Sequence, residues 1–472
     1  MNSVDSIYHR YKAKSPAPLY YAFMLLLVWV PLPHASNRPW AWSIMEGYLF
    51  ILAIVWLVLY SMGRVELTKA FLVAKPVLLL LLLWLLFVLA QFIPLPLDYV
   101  EFISPQAAAL HKAVPGINLD RITLSVDPHA TKTGWMKSVA YTLFFIFTLL
   151  LIDTRKRVKI LIFVIIFSGF AQAFYGSLMT LSGIEYGFFV KKLSSLNVAS
   201  GTFINRNHFA NFLIMSLAVG IGWMISKTNH TEGEQSRKQQ FLAVTQWILS
   251  GKISMRLVLV AIVVGLVLTR SRMGNISFFF SLVSTGLLMW HFSKQSKLKL
   301  LALFVSLIIV DIYVMGAWFG IDQVVDRIQQ TNLTTEMRPD LFEYSILLWN
   351  DYLWVGSGLE TFYSTFPAYK GVGMSGFFDH VHNDYLELLG EVGIIGFCLI
   401  VPVVILSFAV GLDAMRNNSS RVMRGIAFAS VMTIIAQLMH ASVDFSLRIP
   451  ANAAYMMVIM ALSWIATVGV RN

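Results

Sequence analysis

The chain is divided by apolar runs near the ~20 residues that an α-helix needs to cross a hydrocarbon layer of ~30 Å. Inside lipid every backbone N–H and C=O must find an internal partner, which leaves helices and closed barrels as the spanning structures. The alternating pattern of barrel strands is missing, and the apolar blocks are continuous, so the chain reads as an all-α polytopic membrane protein. Composition agrees: 57% of residues are hydrophobic, 13% are charged, and the mean hydropathy is +0.69. About twelve spans are expected, at 18–33, 42–60, 72–92, 135–152, 160–180, 208–225, 254–269, 275–290, 299–318, 388–411, 425–442 and 452–470. They form one integral membrane domain over 1–472. The start, with Arg10, Lys12 and Lys14 ahead of an apolar run, resembles a signal sequence without a small-residue cleavage site, and it is expected to remain as the first span.

The net charge of +11 does not point to nucleic acid, because the basic residues are scattered over many short loops instead of forming one stripe. They report topology. With the N-terminus in the cytoplasm, the inner segments receive Arg64 and Lys69, then Arg155, Lys156, Arg157 and Lys159, then Arg416, Arg421 and Arg424, as the positive-inside rule requires. The same count places 93–134, 181–207, the junction Thr269–Gly274 and 319–387 outside. The single Cys398 excludes an intramolecular disulfide and is expected to pack inside its span. Trp29, Trp349 and Trp354 at span ends read as interfacial anchors. Segment 226–240 reads as a polar linker, and 241–255 as an interfacial stretch or an extension of the next helix.

The long outer segment 319–387 is where chemistry is most expected. Leu341, Tyr344, Leu347 and Leu348 recur at helical spacing after Arg338-Pro339, which predicts a short helix with Pro339 in its first turn, broken by Gly356 and Gly358. Gly371–Phe378 has no element pattern and reads as a loop over a site. The segment closes on Asp379-His380-Val381-His382-Asn383-Asp384-Tyr385-Leu386-Glu387. His382 can accept a proton from a hydroxyl near neutral pH, with Asn383 or Asp384 orienting it or capping the next helix. The bland alternative is that His382 merely caps that helix and meets lipid headgroups. His380 and His382 beside carboxylates could be taken for a metal site, but no separated ligand pair completes a motif, and no metal is assigned.

Three other clusters share the outer side. Arg270, Arg272 and Arg338 are guanidinium groups suited to bidentate phosphate contacts, with headgroup snorkelling as the alternative. Asn205, Arg206, Asn207 and His208 open an apolar helix whose free amides could bind an anion or sugar hydroxyls, although capping also explains them. His440 and Asp444 close the set; a carboxylate at that depth calls for a partner, either an arginine or His440.

Taken in order, these pieces resemble the O-antigen ligase and polymerase superfamily. The matching stretches are Gly201-Thr202-Phe203-Ile204-Asn205-Arg206-Asn207-His208, Ser271-Arg272-Met273-Gly274, Arg338 followed by Leu348-Trp349 and Gly356-Ser357-Gly358, His382–Glu387 running into Glu391-Val392-Gly393-Ile394-Ile395-Gly396, and His440 through Asp444-Phe445. The junction departs from the family in carrying Met273 where a small residue is usual. The resemblance implies glycosyl transfer on the periplasmic face of the bacterial inner membrane, without cofactor or catalytic metal. An undecaprenyl-diphosphate-linked glycan is the implied donor, with the residue matching His382 acting on the acceptor hydroxyl and those matching Arg272 and Arg338 on the diphosphate. The acceptor is a lipopolysaccharide core in ligases, a second lipid-linked glycan in polymerases, and protein hydroxyls in a related group. A transporter of polyprenyl-linked glycans is the reading from a different class, since it too would line a hydrophilic cavity with polar groups.

Overall fold

The computed structural model describes residues 16–116, 119–227, 253–292, 305, 338–371, 374 and 376–471, with the side chains of 253 and 338–340 outside that description. The described chain is helical. Its helices are α1 (Ala17–Trp29), α2 (Pro39–Ser61), α3 (Lys69–Val73), α4 (Lys75–Phe92), α5 (Leu97–Ile103), α6 (Pro105–Lys112), α7 (Pro128–Leu151), α8 (Arg155–Ser182), α9 (Arg206–Ser226), α10 (Ile253–Leu268), α11 (Arg272–Phe292), α12 (Arg338–Asp351), α13 (Phe362–Thr365), α14 (Asp384–Asn417), α15 (Arg421–Ala441) and α16 (Pro450–Val468). Two two-stranded antiparallel pieces join them: β1 (Leu95–Pro96) with β2 (Arg121–Ile122), and β3 (Tyr186–Gly187) with β4 (Val190–Lys191). Among the described residues nine helices are long and apolar enough to span a membrane, and two shorter apolar ones coincide with expected spans at 18–33 and 254–269. The expected span 299–318, and most of segment 226–255, lie outside the described residues.

The bundle is organised around α9, in which every residue from His208 to Ser226 is buried. An apolar helix with no polar face must be surrounded, and α8, α10, α11, α15 and α16 surround it. The contact with α15 is close because of two glycines: a Cβ on Gly222 would stand 2.2 Å from the Gly425 oxygen, and one on Gly425 would stand 2.3 Å from the Gly222 oxygen. Small residues at a helix crossing let backbones approach and raise the dispersion gain, which replaces the hydrophobic drive that lipid does not supply. Nearer the start of α9 Asn211 and Gln437 exchange two amide hydrogen bonds of 2.7 Å, satisfying each other in the dry interior.

α14 is broken near its start. Gly393 has φ 60° and ψ −170°, so the carbonyls of Gly390 and Glu391 turn outward and accept from Ser357 N and Gly358 N at 3.0 and 2.9 Å. Beyond the break Ile394 N and Ile395 N donate to Leu353 and Trp354 carbonyls. Gly356 must be glycine here, since a Cβ would lie 2.1 Å from the Glu391 carbonyl. Gln91, fully buried on α4, locks the crossing: its amide donates to the carbonyls of Val355 and Glu391 and accepts from Leu359 N. The expected breaks at Gly356 and Gly358 are thus also where this segment docks on the broken turn of α14. Asp127 caps α7 by accepting from Ala130 N, so the Ser125–Pro128 turn is ordered as the sequence predicts. Cys398, expected to pack, is exposed on α14.

Candidate functional site

Three separate stretches meet at one end of the bundle: the first turn of α9, the approach to α14, and the link between α15 and α16. Asn383 fixes the second by accepting from Tyr385 N and Leu386 N, an N-cap that satisfies two orphan donors of α14. Glu387, one turn in, reaches back to accept from Val381 N at 2.9 Å and pairs with His380 Nδ1 at 2.7 Å. Between these anchors His382 is held at φ 58°, a left-handed backbone that few non-glycine residues adopt. Its Nδ1 lies 3.5 Å from Asp444 Oδ1.

Asp444 is the hub of this half of the site. The same Oδ1 is 3.5 Å from His208 Nε2 and accepts from Phe445 N at 2.9 Å. Burial alone would raise its carboxyl, but the two imidazoles outweigh that and hold it far below the ordinary carboxylate range. Phe445 fills the space among three imidazoles, stacked on His380 at 4.0 Å and edge-on to His208 at 4.5 Å and His382 at 4.9 Å. The sequence left an arginine or His440 as partner for Asp444. Among the described residues neither forms an ion pair with it: His440 Nδ1 instead meets Ser446 Oγ at 3.0 Å, and Asn452 ties the carbonyls of His208 and Ser446 together.

The other half is built on Arg448. Its guanidinium pairs with Glu391 at 2.7 Å, Glu387 at 3.3 Å and Asp384 at 3.9 Å, three carboxylates that share one face of α14 before its break. Burial would weaken the charge on Arg448, but the carboxylates around it overwhelm that effect and raise it further. Asp384 also accepts from Leu447 N, so it neither orients His382 nor caps α14. Through Glu387 this network reaches His380, whose imidazole is raised above its ordinary value: burial pulls it down, and the Glu387 carboxylate more than compensates. Beside Arg448 a crevice of about 230 Å³ runs among α4, α7, α14 and α16, polar at Lys137, Tyr141 and Glu360 and apolar along Trp84, Met456 and Met460. Lys137 and Glu360 pair across it at 3.1 Å.

Asn205 caps α9 by accepting from Asn207 N, and His208 is buried, so in this cluster capping accounts for Asn205 and proximity to Asp444 for His208. Arg206 and Asn207 are partly exposed on that first turn. Arg270 sits in a left-handed turn at φ 53° and Arg272 is the first residue of α11; both are exposed. Their junction packs beside the α9 turn, because Ala199 N donates to Leu268 O and a Cβ on Gly274 would lie 2.7 Å from Ala210 Cβ. Arg338 opens α12, where the helical spacing put it; its side chain lies outside the described residues. His380 and His382 turn to different carboxylates, and among the described residues no three His, Cys, Asp or Glu side chains converge as a metal site.

Sequence reasoning did not select Arg448, Glu391, Gln91 or Phe445. One signal was present: carboxylates at 384, 387 and 391 recur at helical spacing in an apolar helix, and such a face demands a buried cation. Which cation answers it is set by the turn after Asp444, which no local pattern gives.

No curated protein matches the chain significantly. Residues 257–401 match the family model described as O-Antigen ligase, a stretch that holds Arg270, Arg272, Arg338, His380, His382 and the carboxylates of α14, while Asn205–His208, His440, Asp444 and Arg448 lie on either side of it. Within a multi-pass helical bundle, the chain thus carries a segment that matches the O-Antigen ligase family over residues 257–401.

Proposed function

We propose that this protein moves a glycan from undecaprenyl diphosphate to a hydroxyl of a lipopolysaccharide lipid A-core, on the periplasmic side of the bacterial inner membrane. The observation that carries the reading is the placement of His382 Nδ1 3.5 Å from the buried Asp444 carboxylate. That contact favours the tautomer with the proton on Nδ1 and leaves Nε2 as the base, on a ring whose side chain is 33% exposed. A spacing of 3.5 Å is long for a hydrogen bond, as catalytic contacts often are before substrate binds.

In the proposed step the acceptor oxygen attacks the anomeric carbon, its proton passes to His382 Nε2, and the bond from that carbon to the diphosphate oxygen breaks. Undecaprenyl diphosphate leaves. Arg272 and Arg338, with Arg270 beside them, are assigned to the diphosphate, since fixed guanidinium donors meet the charge that grows on a leaving phosphate. Asn205, Arg206 and Asn207, at the partly exposed start of α9, are assigned to the glycan. His208 packs against Asp444 and Phe445, His380 stacks on Phe445, and His440, bonded to Ser446, supports the same turn.

Purified protein in detergent, given a defined undecaprenyl-diphosphate glycan with lipopolysaccharide core or alone, tests this by product mass. Core-linked glycan is the expected product. A ladder of longer prenyl-linked chains without core would identify a polymerase and reject ligation. No conversion by a folded protein, with glycan moved only across sealed vesicles, would identify a transporter, and transfer to protein hydroxyls would move the acceptor class.

A further inference from the structure

The hairpin that follows α8 carries an apolar tip with no cover from the described chain. Phe189 is 88% exposed and Leu193 is 93% exposed, with Ile184, Val190 and Leu196 exposed beside them. Phe188 and Phe189 form the turn between β3 and β4, both at positive φ (44° and 66°), where hairpins ordinarily use Asn or Gly. A charged or polar turn would suit water better; here Phe188 packs edge-on against His34 and Phe189 is left facing outward.

Its location says what meets it. Arg155, Lys156, Arg157 and Lys159 mark one end of α8, and Ile160 to Ser182 adds 23 residues, about 34 Å at ~1.5 Å per residue, which is close to the ~30 Å of a hydrocarbon layer. Gly183, left-handed at φ 71°, ends the helix at the far boundary, and the hairpin begins at once. The exposed face of α8 is a stripe of Phe167, Phe174, Leu178 and Leu181, and past the helix end Ile184, Phe189 and Leu193 are exposed as well. Lys191 is exposed next to the tip, where a long amphipathic side chain can reach phosphate.

We infer that the hairpin spanning 184–196 dips its exposed apolar side chains, Phe189 at the turn and Leu193 just past β4, into the acyl chains of the leaflet on the site's side of the membrane. This inference does not rest on the proposed reaction. It does bear on the site, because the hairpin is tied to the segment that leads into α9. Lys192 pairs with Glu185 and donates to Val198 O at 3.1 Å, and Glu185 accepts from Asn197 N at 2.8 Å. The stretch that follows, Ser200 to Asn205, delivers His208 to Asp444. Lipid contact at the tip therefore sets the height of that segment relative to the bilayer surface.

The test uses full-length protein in liposomes with Cys398→Ser as background, nitroxide labels at Phe189→Cys and Leu193→Cys, and a third at Leu178→Cys on α8 as the lipid reference. Collision with dissolved oxygen should exceed collision with a water-soluble nickel chelate at 189 and 193 by a ratio near that at 178. A ratio favouring the chelate at both positions would place the tip in water and overturn the inference. Dipolar broadening between labels on two copies, abolished by dilution with unlabelled protein, would assign the tip to self-association and overturn it as well.

Discussion

Replacing Arg448 with leucine removes the positive charge from a buried cluster that holds three carboxylates, and the structure says how much should be lost. The side chains of Arg448, Glu387 and Glu391 are 11%, 1% and 2% exposed, so little solvent remains to screen them. Breaking a buried pair by deleting one partner costs about 3–5 kcal/mol, because the surviving charge stays desolvated and unpaired. Here the survivors are Glu391 and Glu387, and they also repel each other. Against a total stability of about 5–15 kcal/mol, Arg448→Leu should lower the thermal midpoint by many degrees in detergent, or prevent accumulation of folded protein. Arg448→Lys keeps the charge but lacks the planar fork that reaches Glu391 and Glu387 together, so it should fall between wild type and leucine. Glu391→Gln should be harmful alone, yet in the leucine background it should recover part of the loss, since it removes one unpaired charge. Thermal unfolding of the four proteins, read as a double-mutant cycle, measures the coupling. A leucine variant within about 1 kcal/mol of wild type, with no coupling to residue 391, would refute the buried-network reasoning and leave Arg448 as a surface-type pair.

Four further outcomes are expected. His382→Ala should lower glycan transfer by about 100-fold or more with donor binding retained, and Asp444→Asn should lower kcat more than it raises KM, whereas an alanine variant with full turnover would return His382 to a structural cap. Arg272→Lys should lose transfer at unchanged abundance, because an ammonium group cannot make the paired contacts of a guanidinium; wild-type turnover in the Arg272→Ala protein would leave only headgroup contacts. His380 gains its raised affinity for a proton from Glu387, so its contribution to stability is complete below about pH 6.5 and is lost as pH rises through its folded value. The destabilisation caused by His380→Gln should accordingly be larger at about pH 6 than at about pH 9 in thermal melts. Transfer should persist after extensive EDTA treatment, and activity restored by one divalent ion would instead call for a metal in the step.

The class of fold was legible in the sequence because lipid imposes one rule everywhere: apolar runs of sufficient length must be helices, and eleven of the twelve expected spans coincide with described helices. Local chemistry was legible on the same grounds. Asn383 and Asn205 cap helices, Asp127 caps α7, and Pro339 lies in the first turn of α12, each within a few residues of the group that it serves. His382 was selected from its residue type and its neighbours alone.

What tertiary structure decided is partnership. Asp444 lies 62 residues from His382 and 236 from His208 in sequence, and no periodicity links them; the glycine crossing of α9 on α15 and the ties of Asn452 bring them together. Likewise the face of Asp384, Glu387 and Glu391 announced a missing cation, but several arginines were available, and only the turn after Phe445 selects Arg448. Gln91 shows the limit most plainly. It reads as an incidental polar residue at a span end, and it acquires its role only because a broken helix about 300 residues later turns two carbonyls toward it. A sequence fixes which groups must find partners in a medium without water, whereas the identity of each partner is a property of packing between segments that the chain itself keeps far apart.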